Sequence, residues 1–130
     1  MSRSGYSEDL DNWSLIKWRG AVLSAMRGRR GQAFLKELAA ALDAMPQRRL
    51  IADELEAGGE VCALGAVGRA RGLDMTAVDL EDREDVGRAF GIAPAMAAEI
   101  EFWNDGYCET TPEQRWATVR GLVARALAQP

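Results

Sequence analysis

Along most of this chain, apolar residues return every third or fourth position, and glycine or proline interrupts the pattern at short intervals. That spacing gathers apolar side chains on one face of an α-helix and conflicts with the period of two of a half-buried strand. From Asp11, a suitable N-cap, to about Arg27, the residues Leu15, Trp18, Val22, Leu23 and Met26 share one side of a helical wheel. A second run aligns Phe34, Leu38, Ala41, Leu42 and Met45 before Pro46 stops it. Pro94 opens a helix in which Met96, Ile100 and Trp103 share a face. Thr111 as N-cap, Pro112 as first helical residue and Gln114 as the far side of a capping box start a last helix, whose buried stripe is Trp116, Val119, Leu122, Val123, Ala126 and Leu127. The same periodicity turns Trp18, Trp103 and Trp116 toward the core.

Between these runs the small residues of "ALGAVGRARG" predict a helix packed closely on its neighbours and ending at Gly72. The acidic "DLEDRED", residues 79–85, opens a helix through Phe90, where carboxylates suit the helix dipole. In "RRLIADELEAGGEVCAL", Leu50–Ala52 and Val61–Ala63 flank Gly58-Gly59 in the pattern of a small hairpin, with a helical "RRLIADELEA" as the competing reading. The expected fold is mostly α, a compact bundle of about five to six helices with at most one small β-hairpin. Residues 1–10 are expected as a flexible arm and 11–130 as a single helical domain. A chain of 130 residues can bury roughly two-thirds of its unfolded surface, enough for a core without disulfides or metals.

The sequence contains two cysteines and no histidine. That removes Ser-His-Asp and Cys-His nucleophile activation, most zinc sites and the commonest general acid–base group together. Cys62 sits near the start of a predicted helix, where a dipole lowers a thiol pKa, but the only bases nearby in sequence are carboxylates. Flanked by Val61, Ala63 and Leu64, it reads as a small buried hydrophobe. The acids of "DLEDRED" lack the spacing and glycine of a calcium loop. We therefore expect no enzyme, no cofactor and no metal, with a Cys62-dependent enzyme as the least favoured reading. Cys62 and Cys108 are expected as free thiols. The polar "MSRSGYSEDLDNW" start and apolar stretches far short of the ~20 residues of a membrane helix predict a cytoplasmic protein that meets no membrane.

Charge is distributed unevenly. Residues 1–50 hold nine Lys/Arg against five acids, whereas residues 51–130 hold seven against fifteen. Such a dipolar chain suits an oriented macromolecular partner. Two candidate partner-binding surfaces follow: a basic one of Arg27, Arg29, Arg30, Arg48 and Arg49, and an acidic one of Asp79, Glu81, Asp82, Glu84 and Asp85. The turn "RGRRGQ" resembles a phosphate-contacting loop, with a solvated basic turn as the simpler alternative. Arg19 projects from the apolar side of the first helix, and its stem is expected to pack while its guanidinium reaches water or a carboxylate.

The segments "GEVCALGAVGRARG", "EIEFWND" and "TTPEQRW" together resemble a group of uncharacterised small bacterial and phage-borne domains that share a "CALGA" segment, a later "ND" and a terminal helix opened by Thr. The resemblance spans roughly residues 48–127, and residues 13–50 are similar to small proteins of phages and prophages. It implies no activity and carries over five positions only, Cys62, Gly65, Asn104, Asp105 and Trp116, expected to be structural. Asn104 and Asp105 are expected to satisfy backbone groups where one helix ends. A phage origin implies an interaction module that inhibits a host or defence complex, as anti-CRISPR proteins do. The expected partner is a host protein or nucleoprotein complex. The alternative is a small nucleic-acid-binding regulator that uses the basic turn.

Overall fold

The chain's stop signals fall between its helices. A computed structural model describes residues 12–106 and 111–127. Six α-helices occur among the described residues: α1 (Asn12–Arg27), α2 (Arg29–Asp43), α3 (Ala63–Arg71), α4 (Arg83–Phe90), α5 (Pro94–Asp105) and α6 (Pro112–Leu127). One turn of 3-10 helix (Met75–Ala77) precedes α4, and strands β1 (Glu56–Ala57) and β2 (Glu60–Val61) precede α3. The mostly α expectation holds. The expected arm over residues 1–10, the Asp11 cap and Cys108 lie outside the described residues.

Local chemistry accounts for the boundaries. Asp82 accepts hydrogen bonds from the N–H groups of Glu84 and Asp85 and so starts α4. Thr111 and Gln114 form the expected reciprocal capping box, at 3.0 and 3.1 Å. Gly72 ends α3 with φ +71°, a left-handed cap that favours glycine.

The core is built around α2. Leu35, Leu38 and Leu42 are fully buried there, and Phe34 meets Phe90 of α4 edge to face at 6.3 Å. α6 runs antiparallel along it: Gln32 near the start of α2 donates to the carbonyl of Ala126, and the Trp116 indole N–H donates to the carbonyl of Leu42. Six consecutive residues of α3, Ala63 to Gly68, are buried, so that helix has no solvent face until its last turn.

Two expectations are corrected. Leu23 is 47% exposed, because the buried arc of α1 centres on Val22 and Met26 and a neighbour in sequence lies about 100° away around the helix. The hairpin is also narrower than expected. Gly58 and Gly59 both have positive φ, +58° and +82°, as a two-residue I′ turn requires. This turn fixes Ala57 opposite Glu60 and Glu56 opposite Val61, too close to the turn for Leu50–Ala52 to be the first strand. Those residues contribute one ladder-like bond, from Ile51 N–H to the carbonyl of Val61 at 3.0 Å.

Candidate functional site

Four of the five motif positions, Cys62, Gly65, Asn104 and Asp105, meet where α5 ends against the start of α3. Asn104 is 3% exposed and works in three directions. Its Oδ1 accepts from the Ala63 N–H at 3.0 Å, and its Nδ2 donates to the carbonyl of Ile51 at 2.8 Å and to Asp105 Oδ1 at 2.6 Å. Asp105 Oδ1 also accepts from the Asp53 N–H at 3.2 Å. Arg115 closes the cluster by donating to the carbonyls of Asn104 and Leu50, at 2.8 and 3.0 Å. A polar latch thus joins α5, α6, the 50–53 segment and the first turn of α3. Trp116, the next residue of α6, stands apart from the latch: it is buried, its indole N–H donates to the Leu42 carbonyl, and the Arg48 guanidinium lies 4.7 Å from its ring centre.

Cys62 is the N-cap of α3, and its Sγ accepts a hydrogen bond from the Gly65 N–H at 3.3 Å. The helix terminus does not make it a thiolate. Burial pushes the thiol up to about 12 from 9.0, with the Asp105 and Glu101 charges adding to the rise against the opposing Gly65 hydrogen bond. At neutral pH Cys62 is a protonated cap. The folded value lies above the unfolded one, so the thiol's contribution to stability is intact below about pH 9 and disappears as pH rises toward 12. Urea unfolding of wild type and Cys62→Ala at a series of alkaline pH values should show wild type losing about 1.4 kcal/mol per pH unit more than the variant across that window. Parallel pH profiles would show that Cys62 ionises equally in both states.

The five basic candidates do not form one surface. Arg29 and Arg30 begin α2, whereas Arg48 and Arg49 follow its other end, and a helix of 15 residues separates them by about 22 Å. Arg49 pairs with Glu60 at 3.0 Å and with Glu113 at 3.7 Å, and Arg48 covers Trp116. Arg27, Arg29 and Arg30 remain exposed at the α1–α2 corner. The corner glycine has a packing role: a Cβ on Gly31 would stand 1.9 Å from the carbonyl oxygen of Ala25. Arg19 is exposed at the lip of a groove between α1, α5 and α6.

The acidic candidates divide differently. Asp79 accepts from the Glu81 N–H, Asp82 caps α4, and Asp85 accepts from the Asp79 N–H while Arg88 approaches at 3.3 Å. The Asp79 hydrogen bond and the nearby Arg88 hold the Asp85 carboxyl below its ordinary range. Glu84 stands exposed.

Sequence reasoning missed a cleft of about 350 Å³ between the 53–56 segment and the 3-10 turn. Asp53, Glu54, Glu56 and Asp74 rim it, over a floor that includes Leu55, Leu73, Met75 and Leu80. Glu54 and Leu80 continue into a crevice of about 10 Å³ against Cys62, Glu101 and the latch pair Asn104 and Asp105. Its two walls lie some twenty residues apart in sequence, so no local pattern announces it. Among the described residues no three His, Cys, Asp or Glu side chains converge as metal ligands, and no helix is long and apolar enough to cross a membrane. Comparison with protein families, with curated proteins and with solved structures returns no match to this chain.

Proposed function

We propose that this domain is a non-enzymatic protein-interaction module whose working surface is the acidic cleft and the adjoining start of α4. One observation carries the reading: a concave, apolar-floored cleft has four carboxylates on its rim and continues through Leu80 into the acidic 79–85 segment. Apolar floors with charged rims are how protein partners combine burial with orientation. Its complement is a basic surface that offers an aliphatic or aromatic side chain between cations. A protein that normally grips phosphates carries such a surface, and occupying it is the act of an inhibitor of a nucleoprotein complex.

The second reading, nucleic-acid binding, is favoured by the exposed corner of Arg27, Arg29 and Arg30. Capture of partners from nuclease-treated bacterial lysate separates the two. Wild type and an Arg29→Glu/Arg30→Glu variant should retain the same partner. A Glu54→Lys/Glu84→Lys variant should lose it, as should wild type in about 1 M salt, where the screening length falls to about 3 Å. Neither substituted acid makes a side-chain hydrogen bond or ion pair among the described residues, so the charge change breaks no such contact and costs at most about 1 kcal/mol where Glu84 faces the α4 dipole. Partners that survive the acidic substitutions but vanish with the arginine substitutions or with nuclease would overturn the proposal in favour of nucleic acid.

A further inference from the structure

The exposed large hydrophobic side chains among the described residues all lie on α1: Trp13 at 67%, Ile16 at 60% and Leu23 at 47%. They surround Gly20. With about 100° per residue, Trp13, Ile16, Leu23, Ser24 and Arg27 all fall within about 60° of Gly20 around the helix. A glycine in an exposed helix interior is unfavourable unless close approach requires it. Within the chain nothing requires it, because a Cβ at Gly20 would meet no atom within 4 Å.

We infer that the outer face of α1 binds a second copy of this chain, antiparallel, about a two-fold axis that passes midway between the two Gly20 residues. The stripe is suited to such an axis. Residues before and after Gly20 exchange places, so each Ile16 comes beside Leu23 of the second copy on one flank. Each Trp13 ring comes level with Arg27 of the second copy, a cation–π pairing. Gly20 faces Gly20 and lets the two helices approach to the short end of the usual 8–10 Å range.

Charge sets the direction. α1 carries Lys17, Arg19 and Arg27 with no acid, and Arg29 and Arg30 follow it. A parallel pair would oppose Lys17 to Lys17 and Arg27 to Arg27. Antiparallel pairing keeps Lys17 from Lys17 and Arg27 from Arg27, and sets each Arg27 beside the Trp13 ring of the second copy. Self-complementarity of this kind is what an isologous two-fold interface demands. The surface is distinct from the acidic cleft, so a dimer would present two clefts.

Sedimentation of the full chain from about 1 μM to 1 mM should show reversible dimerisation, the range in which small interfaces associate. Leu23→Glu should weaken it more than tenfold while leaving circular dichroism and thermal unfolding of the monomer unchanged. Geometry is read by cross-linking in a Cys108→Ser background, where the remaining native thiol, Cys62, is buried. Gly20→Cys should form an intermolecular disulfide readily, since the axis brings the two positions together. Ser24→Cys should not, because antiparallel symmetry holds its two copies about 12 Å apart along the helix, beyond disulfide reach. A chain that stays monomeric across the range, a dimer indifferent to Leu23→Glu, or Ser24→Cys cross-linking as fast as Gly20→Cys would each overturn the inference. A monomer whose Leu23→Glu variant loses a different protein would assign the face to that protein.

Discussion

Gly65→Ala should leave little folded protein at 37 °C, with a loss of about 3 kcal/mol or more, a large share of the 5–15 kcal/mol that stabilises a domain. A Cβ at this position would stand 1.9 Å from the carbonyl oxygen of Leu55, 2.9 Å from its carbon and 3.0 Å from the Val61 Cβ. Two of these three atoms are backbone and cannot swing aside. Moving Leu55 also breaks the hydrogen bond that its carbonyl accepts from the Cys62 N–H, at 3.1 Å, which is where the hairpin joins α3. Gly121→Ala is the matched control. It is a helical glycine whose Cβ would meet nothing within 4 Å, so the substitution should stabilise by up to about 1 kcal/mol. Thermal unfolding followed by circular dichroism reads both. Equal melting temperatures would show that the Leu55 backbone yields to a methyl group.

Asn104→Ala should cost about 3–5 kcal/mol in urea unfolding, because it strands the Ala63 N–H and the Ile51 carbonyl in a closed site, at roughly 1–3 kcal/mol for each unpaired group. Asn104→Asp gives a sharper test. It keeps an acceptor for Ala63 but replaces the donor by an oxygen facing the Ile51 carbonyl and Asp105 Oδ1. Burial and the neighbouring carboxylate raise the new carboxyl's folded pKa above its unfolded value. Its destabilising effect is therefore full at neutral pH and recedes as pH falls and the group protonates, opposite to the acid sensitivity that depressed carboxyls such as Glu37, held by Arg71, give the wild type. An Asn104→Asp variant with the wild-type pH profile would mean the latch is wet rather than sealed.

What could be read from the sequence was local. The caps at Asp82 and Thr111 and the glycine stop at Gly72 each depend on residues within one helical turn, and so were legible. The wheel of α1 identified its inner arc correctly at Val22 and Met26 but set it too wide at Leu23, since arc width depends on how many helices press against it. Asn104 and Asp105 were expected to serve a nearby helix end. Their backbone partners instead lie 41, 52 and 53 residues away, which no local pattern encodes. The division of the arginines was within reach of the sequence: a helix predicted between Arg30 and Pro46 already separates Arg29 from Arg48 by its own length. The acidic cleft was not, because its walls meet only after α3 reverses the chain.

The antiparallel seating of α6 on α2 has a consequence for synthesis. Trp116 bonds to a residue 74 positions earlier and Gln32 to one 94 positions later. As the chain leaves the ribosome, α2 emerges well before the helix that seals one side of it. A nascent chain must hold Leu35, Leu38 and Leu42 until that seal arrives. The hairpin of α1 and α2, joined at Gly28 and closed by contacts near in sequence, is the unit able to form meanwhile. Translation stalled before Pro112 should therefore yield a species that chaperones bind through the open side of α2.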